Sequence, residues 1–322
     1  MKSVIARLLT VAGCALCMAA AHSQTYPTKP VTLVVPYATG GTAEILGRVF
    51  AAHLGEALGQ SVVLDIKAGA GSMIGSGYVA KMAQPDGYTL LLGANPLAIN
   101  GSLMKLNFDP QKDLAPVGAV AGFSSVMVTS ATSPFKSVAD VIKASKSQEV
   151  TFGSSGPGSV SHMSGELFKA IAGINMTHVP YKGSGAVYPD LISGRVSLLF
   201  DVSASAIGFI NRGSVRPLGI TSKERLKALP DVAPLAEQGL KGYELLTWFG
   251  IFVPAGTPPD IIARLDEAVQ KVVKDPAFLA RLDQWGGSPM QAQSTADFTR
   301  FYHADAERWK HLVQEGKMKR LE

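Results

Sequence analysis

The sequence predicts an α/β protein of two lobes, each a mostly parallel sheet flanked by helices. Three observations carry this: the length, the apolar content, and the repeated alternation of β-branched runs with helical patterns. The 322 residues are about twice the ~150 that one domain typically uses. Hydrophobic residues make up 47% and charged residues 17%, below the roughly 25% charged of ordinary soluble chains, which supplies ample core and excludes disorder. Strands alternating with helices argue for parallel pairing, with helices on both faces and right-handed crossovers.

The first apolar stretch is set aside from the fold. Lys2 and Arg7 precede Leu8 to Ala21, a run ending in small residues and shorter than the ~20 residues a spanning helix needs. It reads as a secretory signal, residues 1–23, cut after Ala21 or after Ser23. Val11-Ala12-Gly13-Cys14 resembles a lipid-attachment box, but the apolar segment continues past Cys14. Cys14 and Cys17 are the chain's whole cysteine complement, so the mature protein is expected without disulfides, thiol catalysis or thiolate metal sites. A chain this long buries enough surface to do without staples. No later run reaches spanning length, and the expected location is the periplasm. Removing Lys2 and Arg7 leaves 28 basic against 25 acidic residues. That excess is mild, and the one dense basic patch, Lys317 to Arg320, reads as a solvated terminal helix, so no nucleic-acid partner is expected.

After Tyr26-Pro27-Thr28-Lys29-Pro30, the run Val31 to Val35 is β-branched and bounded by Pro36, as a buried parallel strand should be. Glu44 to Leu58 places Ile45, Leu46, Val49, Phe50 and Leu54 at helical spacing and stops at Gly59. The grammar repeats with a strand over Ser61 to Ile66, a glycine turn, a helix over Ser72 to Met82, the turn Pro85-Asp86-Gly87 and a strand over Tyr88 to Leu92. Further strands are predicted at Val126 to Ser130, Val150 to Gly153, Met176 to Val179, Val196 to Phe200, Val215 to Ile220 and Trp248 to Val253. From Pro258 the pattern is helical, notably over Asp260 to Val273 and Thr295 to Glu315. Helices without a sheet of their own must cover another's, so they are expected to pack back on the first lobe. The chain then crosses between lobes near Phe123 and Thr247, giving lobes of residues 24–123 plus 248–322 and 124–247, with a ligand cleft between them.

Catalytic and metal signatures are missing from the sequence. Ser155 has Gly153 before it but Pro157 after it, not the Gly-x-Ser-x-Gly elbow, and His53, His162, His178, His303 and His311 are dispersed without a His-Glu-x-x-His pair. Gly69-Ala70-Gly71-Ser72-Met73-Ile74-Gly75 departs from the dinucleotide fingerprint at Ile74 and reads as a tight turn with close helix–strand packing. Two other strand-to-helix junctions are small-residue loops: Pro36 to Ala43, and Ser154 to Ser159 before the helix Val160 to Ala172. Helix N-termini present unpaired N–H groups and a partial positive charge. Neither junction shows a capping-box acid, since Ile45 stands three residues after Thr42 and His162 three after Ser159. Neither contains Lys or Arg, so two such ends facing one cleft would grip a carboxylate ligand by dipoles and hydrogen bonds. Glu44 is expected to point outward.

The chain from Tyr26 onward resembles the substrate-binding proteins of tripartite tricarboxylate transporters, the Bug or TctC family. The resemblance is carried by Val34-Val35-Pro36-Tyr37 with Gly40-Gly41, Gly69-Ala70-Gly71 with Ile74-Gly75, Pro85-Asp86-Gly87-Tyr88-Thr89-Leu90-Leu91, Phe152 to Gly156, His178-Val179-Pro180-Tyr181-Lys182-Gly183, Phe200-Asp201, and Trp248-Phe249-Gly250 with Pro254 to Pro258. It implies a periplasmic-binding-protein (Venus-flytrap) fold that captures a small di-, tri- or aromatic carboxylate and delivers it to membrane permease subunits. It further implies that Tyr37, Thr39, Gly40, Gly41, Thr42 and Ala43, with Ser154, Ser155, Gly158 and Ser159, hold carboxylate oxygens, while Ala94, Asn95, Tyr181 and Asp201 line the rest. Where the family shows Phe-Pro-Pro-Gly-Gly, this chain has Tyr37-Ala38-Thr39-Gly40-Gly41, so Tyr37 and Thr39 add hydroxyls. Asp201 could instead cap a neighbouring turn, and Trp248 and Phe249 could be core or hinge. If the two aromatics face the cleft, an aromatic acid fits. No enzyme activity, cofactor or metal is expected, and the receptor is expected to be a monomer. The rival readings are an exported hydrolase using Ser154 or Ser155 with His162, and a sensor co-receptor for a membrane kinase.

Overall fold

The structure, a computed structural model, describes residues 26–290, 292–315 and 320. The expected signal at 1–23, with its two cysteines, and residues 317–319 of the basic patch lie outside them.

The chain runs β1 (Val31–Val35), α1 (Thr42–Leu58), β2 (Val62–Ile66), α2 (Met73–Lys81), β3 (Thr89–Ala94), α3 (Pro96–Leu103) and the long β4 (Leu114–Ser130). It continues with α4 (Val138–Ala144), β5 (Thr151–Ser154), α5 (Val160–Ala172), β6 (Thr177–Pro180), α6 (Tyr188–Ile192), β7 (Leu198–Val202), α7 (Ser203–Asn211) and β8 (Val215–Ile220). It closes with β9 (Leu246–Pro254), α8 (Pro259–Val273), α9 (Pro276–Gln284), β10 (Gly287–Ser288) and α10 (Thr295–Gln314).

The strands form one curled sheet in the order β2-β1-β3-β9-β4-β7-β5-β6, with β8 and β10 also pairing β4. The α/β class is as predicted, and both flanks are parallel, β1 with β2 and β3, β5 with β6 and β7. The centre is antiparallel rather than parallel. Strand β4 pairs β9 from Leu114 to Ser124 and then β7 and β8 from Ser125 to Ser130. A chain that leaves one half of the sheet on β4 and returns on β9 must run those two strands in opposite directions.

Only the Val126 to Ser130 end of β4 was legible as a strand. Its first half, Ala115-Pro116-Val117-Gly118-Ala119-Val120-Ala121-Gly122, is small and of low β propensity, and close packing selects it. Similarly, a Cβ on Gly250 in β9 would lie 2.1 Å from the Phe298 ring of α10. Leu46, Phe50 and Leu54 of α1 pack with Leu265, Val269 and Phe278 on one face of the first half-sheet. On the other face Leu97 of α3 meets Phe252, Phe298 and Tyr302. The second half-sheet is covered the same way, by Phe168, Phe200 and Leu235 on one side and Tyr188, Leu199 and Ile207 on the other.

Candidate functional site

A cavity of about 620 Å³ lies where the first βα loop, the Gly69 to Ser72 turn, the α5 loop and the segment after β6 converge. Of the residues predicted for a site, Tyr37, Gly41, Thr42, Ala43, Ala94, Ser155, Ser159, Tyr181 and Asp201 line it. Thr39, Gly40, Asn95, Ser154 and Gly158 are not among its lining residues.

The five exceptions each have a local reason. Thr39 and Gly40 are exposed beyond the wall, and the Gly40 N–H donates to Glu44 at 2.7 Å. Asn95 is a staple: its amide donates to the Leu246 carbonyl at 3.0 Å while its oxygen accepts the Trp248 N–H at 2.8 Å. Ser154 is 0% exposed, with its hydroxyl 2.6 Å from His178 Nε2 and accepting the Gly156 N–H at 3.1 Å. The Gly158 N–H donates to His162 Nδ1 at 3.1 Å.

Both predicted junctions reach the cavity. The N-cap of α1 is Gly41, one residue earlier than the sequence suggested, so Glu44 stands at the third helical position and does accept an N–H. Glu44 also pairs with Arg48 and remains a structural residue; the Gly40 bond first, and Arg48 second, hold its carboxyl below the usual range. In the α5 loop the Ser155 N–H is taken by the Ser161 hydroxyl at 2.9 Å and the Ser159 N–H by the Gly156 carbonyl at 3.2 Å. The first two helical N–H groups of each helix, at Thr42 and Ala43 and at Val160 and Ser161, have no intrahelical acceptor, and these four residues border the cavity.

Asp201, 3% exposed, is the penultimate residue of β7 and stands in the cavity wall. It accepts its neighbour Val202's N–H at 3.0 Å and the Tyr188 hydroxyl at 2.7 Å, and Ser205 donates to it as well. Burial raises its pKa despite these donors. Tyr181 donates its hydroxyl to Asp190 at 2.6 Å; burial, then that partner, push its pKa up to about 12. The two aromatics weighed together part company. Phe249 lines the cavity, edge-on to Tyr37 at 6.5 Å, whereas Trp248 is core, its indole donating to Asp305 at 2.8 Å.

Sequence reasoning passed over Ala70, Gly71 and Ser72, which line the cavity at φ of 46°, 60° and 78°. Non-glycine residues rarely adopt such angles. Their loop also opens a helix, the signal already used for the other two junctions. The close packing expected of this turn is present: a Cβ on Gly75 would lie 2.6 Å from the Lys67 carbonyl oxygen. Lys182, exposed at the mouth, is the cationic side chain among the described lining residues. Thr247 and Ser184 also contribute to the wall. Among the described residues no cluster of three or more His, Cys, Asp or Glu is placed to hold a metal, and no helix is long and apolar enough to cross a membrane.

A family model described as "Tripartite tricarboxylate transporter family receptor" matches residues 46–318. The chain belongs to this receptor family. Protein BugT of Bordetella pertussis is 35% identical over 319 residues, which cover 97% of this chain and 96% of BugT. The receptor is also similar to R. palustris Rpa4515 with adipate, at 34% identity and TM-score 0.87, covering 92% of this chain and 100% of that one. MatC from Rhodopseudomonas palustris with bound malate aligns at 28% identity and TM-score 0.84, covering 89% of the receptor and all, 100%, of MatC.

Proposed function

We propose that this receptor captures a small organic carboxylate between two lobes, residues 24–123 plus 248–322 and residues 124–247, and delivers it in the periplasm to the permease of a tripartite tricarboxylate transporter. The observation that carries the reading is the convergence of the α1 and α5 N-termini on one cavity with their first N–H groups lacking intrahelical acceptors. Such N–H groups and the helix dipoles favour a negative oxygen at either end of a ligand. Lys182 adds a cation at the mouth. The likeness to proteins solved with adipate and with malate supports a dicarboxylate. The Phe249–Tyr37 edge in the wall also accommodates the flat body of an aromatic acid.

The rival hydrolase would pair Ser154 or Ser155 with His162, and neither serine meets that imidazole. Ser155 meets Ser161 at 3.0 Å and Ser154 meets His178, while His162 Nδ1 is occupied by the Gly158 N–H. The deciding experiment is a melting-temperature screen of dicarboxylates, tricarboxylates and aromatic acids on the mature protein. A true ligand at ~100 times its Kd stabilises the fold by about 2.7 kcal/mol, a shift of several degrees. A screen in which no acid moves the melt, with no acid released on denaturation, sinks the reading.

A further inference from the structure

In both α1 and α5 the third helical residue reaches back over its own N-terminus. In α1 the Glu44 carboxylate accepts the Gly40 N–H, and in α5 His162 Nδ1 accepts the Gly158 N–H, each across four residues. We propose that His162 is a positioning residue for the acid-binding site: its unprotonated Nδ1 holds the Gly158 N–H and so sets the turn that aims the Val160 and Ser161 amides at the ligand. The ligand half of this statement rests on the function proposed above; the turn-setting half does not.

The ring is itself held. His162 stacks on His178 at 3.9 Å and 16°, and His178 stacks on Phe152 at 5.0 Å. An accepting Nδ1 places the neutral ring's proton on Nε2, which faces Glu166 at 3.8 Å. Burial first, then His178 and Lys169, keep the ring unprotonated by lowering its pKa to about 3. The neighbouring Ser154–His178 contact can reverse its donor, because the Ser154 hydroxyl can turn to the Gly156 carbonyl at 3.3 Å. A backbone N–H has no such freedom, so position 162 must supply an acceptor. The turn it holds also meets the other side of the cleft: Gly158 sits at φ +72°, where a Cβ would fall 2.3 Å from the Asn100 side-chain oxygen.

The test compares His162→Asn, whose amide oxygen can occupy the Nδ1 position, with His162→Leu, which fills the space without an acceptor. Gly158 amide exchange is followed by NMR, and adipate and malate binding by calorimetry. Loss of one hydrogen bond worth ~1.4 kcal/mol should speed exchange and weaken binding about tenfold in His162→Leu, with His162→Asn within about threefold of wild type. A packing role reverses that ranking, since Leu preserves volume better than Asn. The proposal falls if His162→Leu matches wild type in Gly158 exchange, or if His162→Asn is the more impaired variant. Should wild type bind neither acid, the carboxylate reading for those acids fails, and His162 as the setter of the turn stands or falls on Gly158 exchange.

Discussion

Lys182 makes no ion pair among the described residues and stands exposed at the cavity mouth. An unpaired cation at an entrance accelerates the arrival of an anion more than it deepens the final well, and its effect is screened by salt. Lys182→Ala is therefore expected to slow association of a bound acid a few-fold at low ionic strength and hardly at all at high salt, as read by stopped-flow fluorescence. An equal loss at both salt concentrations would point to a direct contact instead. Asp201 plays the opposite part. Buried and holding donors from Val202, Tyr188 and Ser205, it stiffens the wall where β7 turns into α7.

At the scale of elements, α1 and α5 differ in what closes their ends. Helix α1 uses an anion, Glu44, balanced by Arg48; α5 uses a buried neutral imidazole, which ties its stability to pH. The His162 pKa falls from an ordinary 6.5 to about 3, chiefly by burial, and that of His178 is lowered in the same direction. Above pH 6.5 neither folded nor unfolded chains carry these protons, and the full stability is present. As pH falls below 6.5 the unfolded chain takes up protons that the folded one refuses, so stability declines toward the folded pKa. Melting temperature should accordingly drop between about pH 6.5 and 5, above the carboxylate range, and drop less in His162→Asn. An identical slope in that variant would show that the imidazole does not set it.

At the scale of the whole molecule, the two halves that we propose to act as lobes touch along several seams. A Cβ on Gly183 would come within 2.7 Å of Ala38, and one on Gly71 within 2.5 Å of the Pro157 carbonyl oxygen. Thr42 donates to Ser205 at 3.4 Å, and Ser205 donates in turn to Asp201. On the proposed two-lobe reading these are the contacts that closure makes, and glycine permits two of them. Gly183 lies at φ +107°, so Gly183→Ala adds both backbone strain and a clash. The variant is expected to remain folded but rest open, with a larger radius of gyration by small-angle scattering and an affinity at least about tenfold lower, since closure supplies part of the binding free energy. Wild-type compaction on adding ligand, retained in Gly183→Ala, would refute this.

Periodicity and punctuation sufficed for the α/β class, for most strands to within about two residues, and for the α5 helix and β8 at their observed ends. They also marked the loops that reach the cavity, because a helix start after a small-residue turn is a local feature that local sequence controls. Three things were settled only by tertiary structure. The first half of β4 became a strand because its small residues let α8 and α10 close on it. Asn95 and Ser154 left the site because distant groups, Leu246, Trp248 and His178, claimed their polar atoms. The Gly69 to Ser72 turn joined the site because its left-handed backbone, held by packing, turns it toward the cavity. Hydrogen-bond partners far apart in sequence cannot be read from spacing; folding alone decides which donors are consumed within the protein and which are left for a ligand.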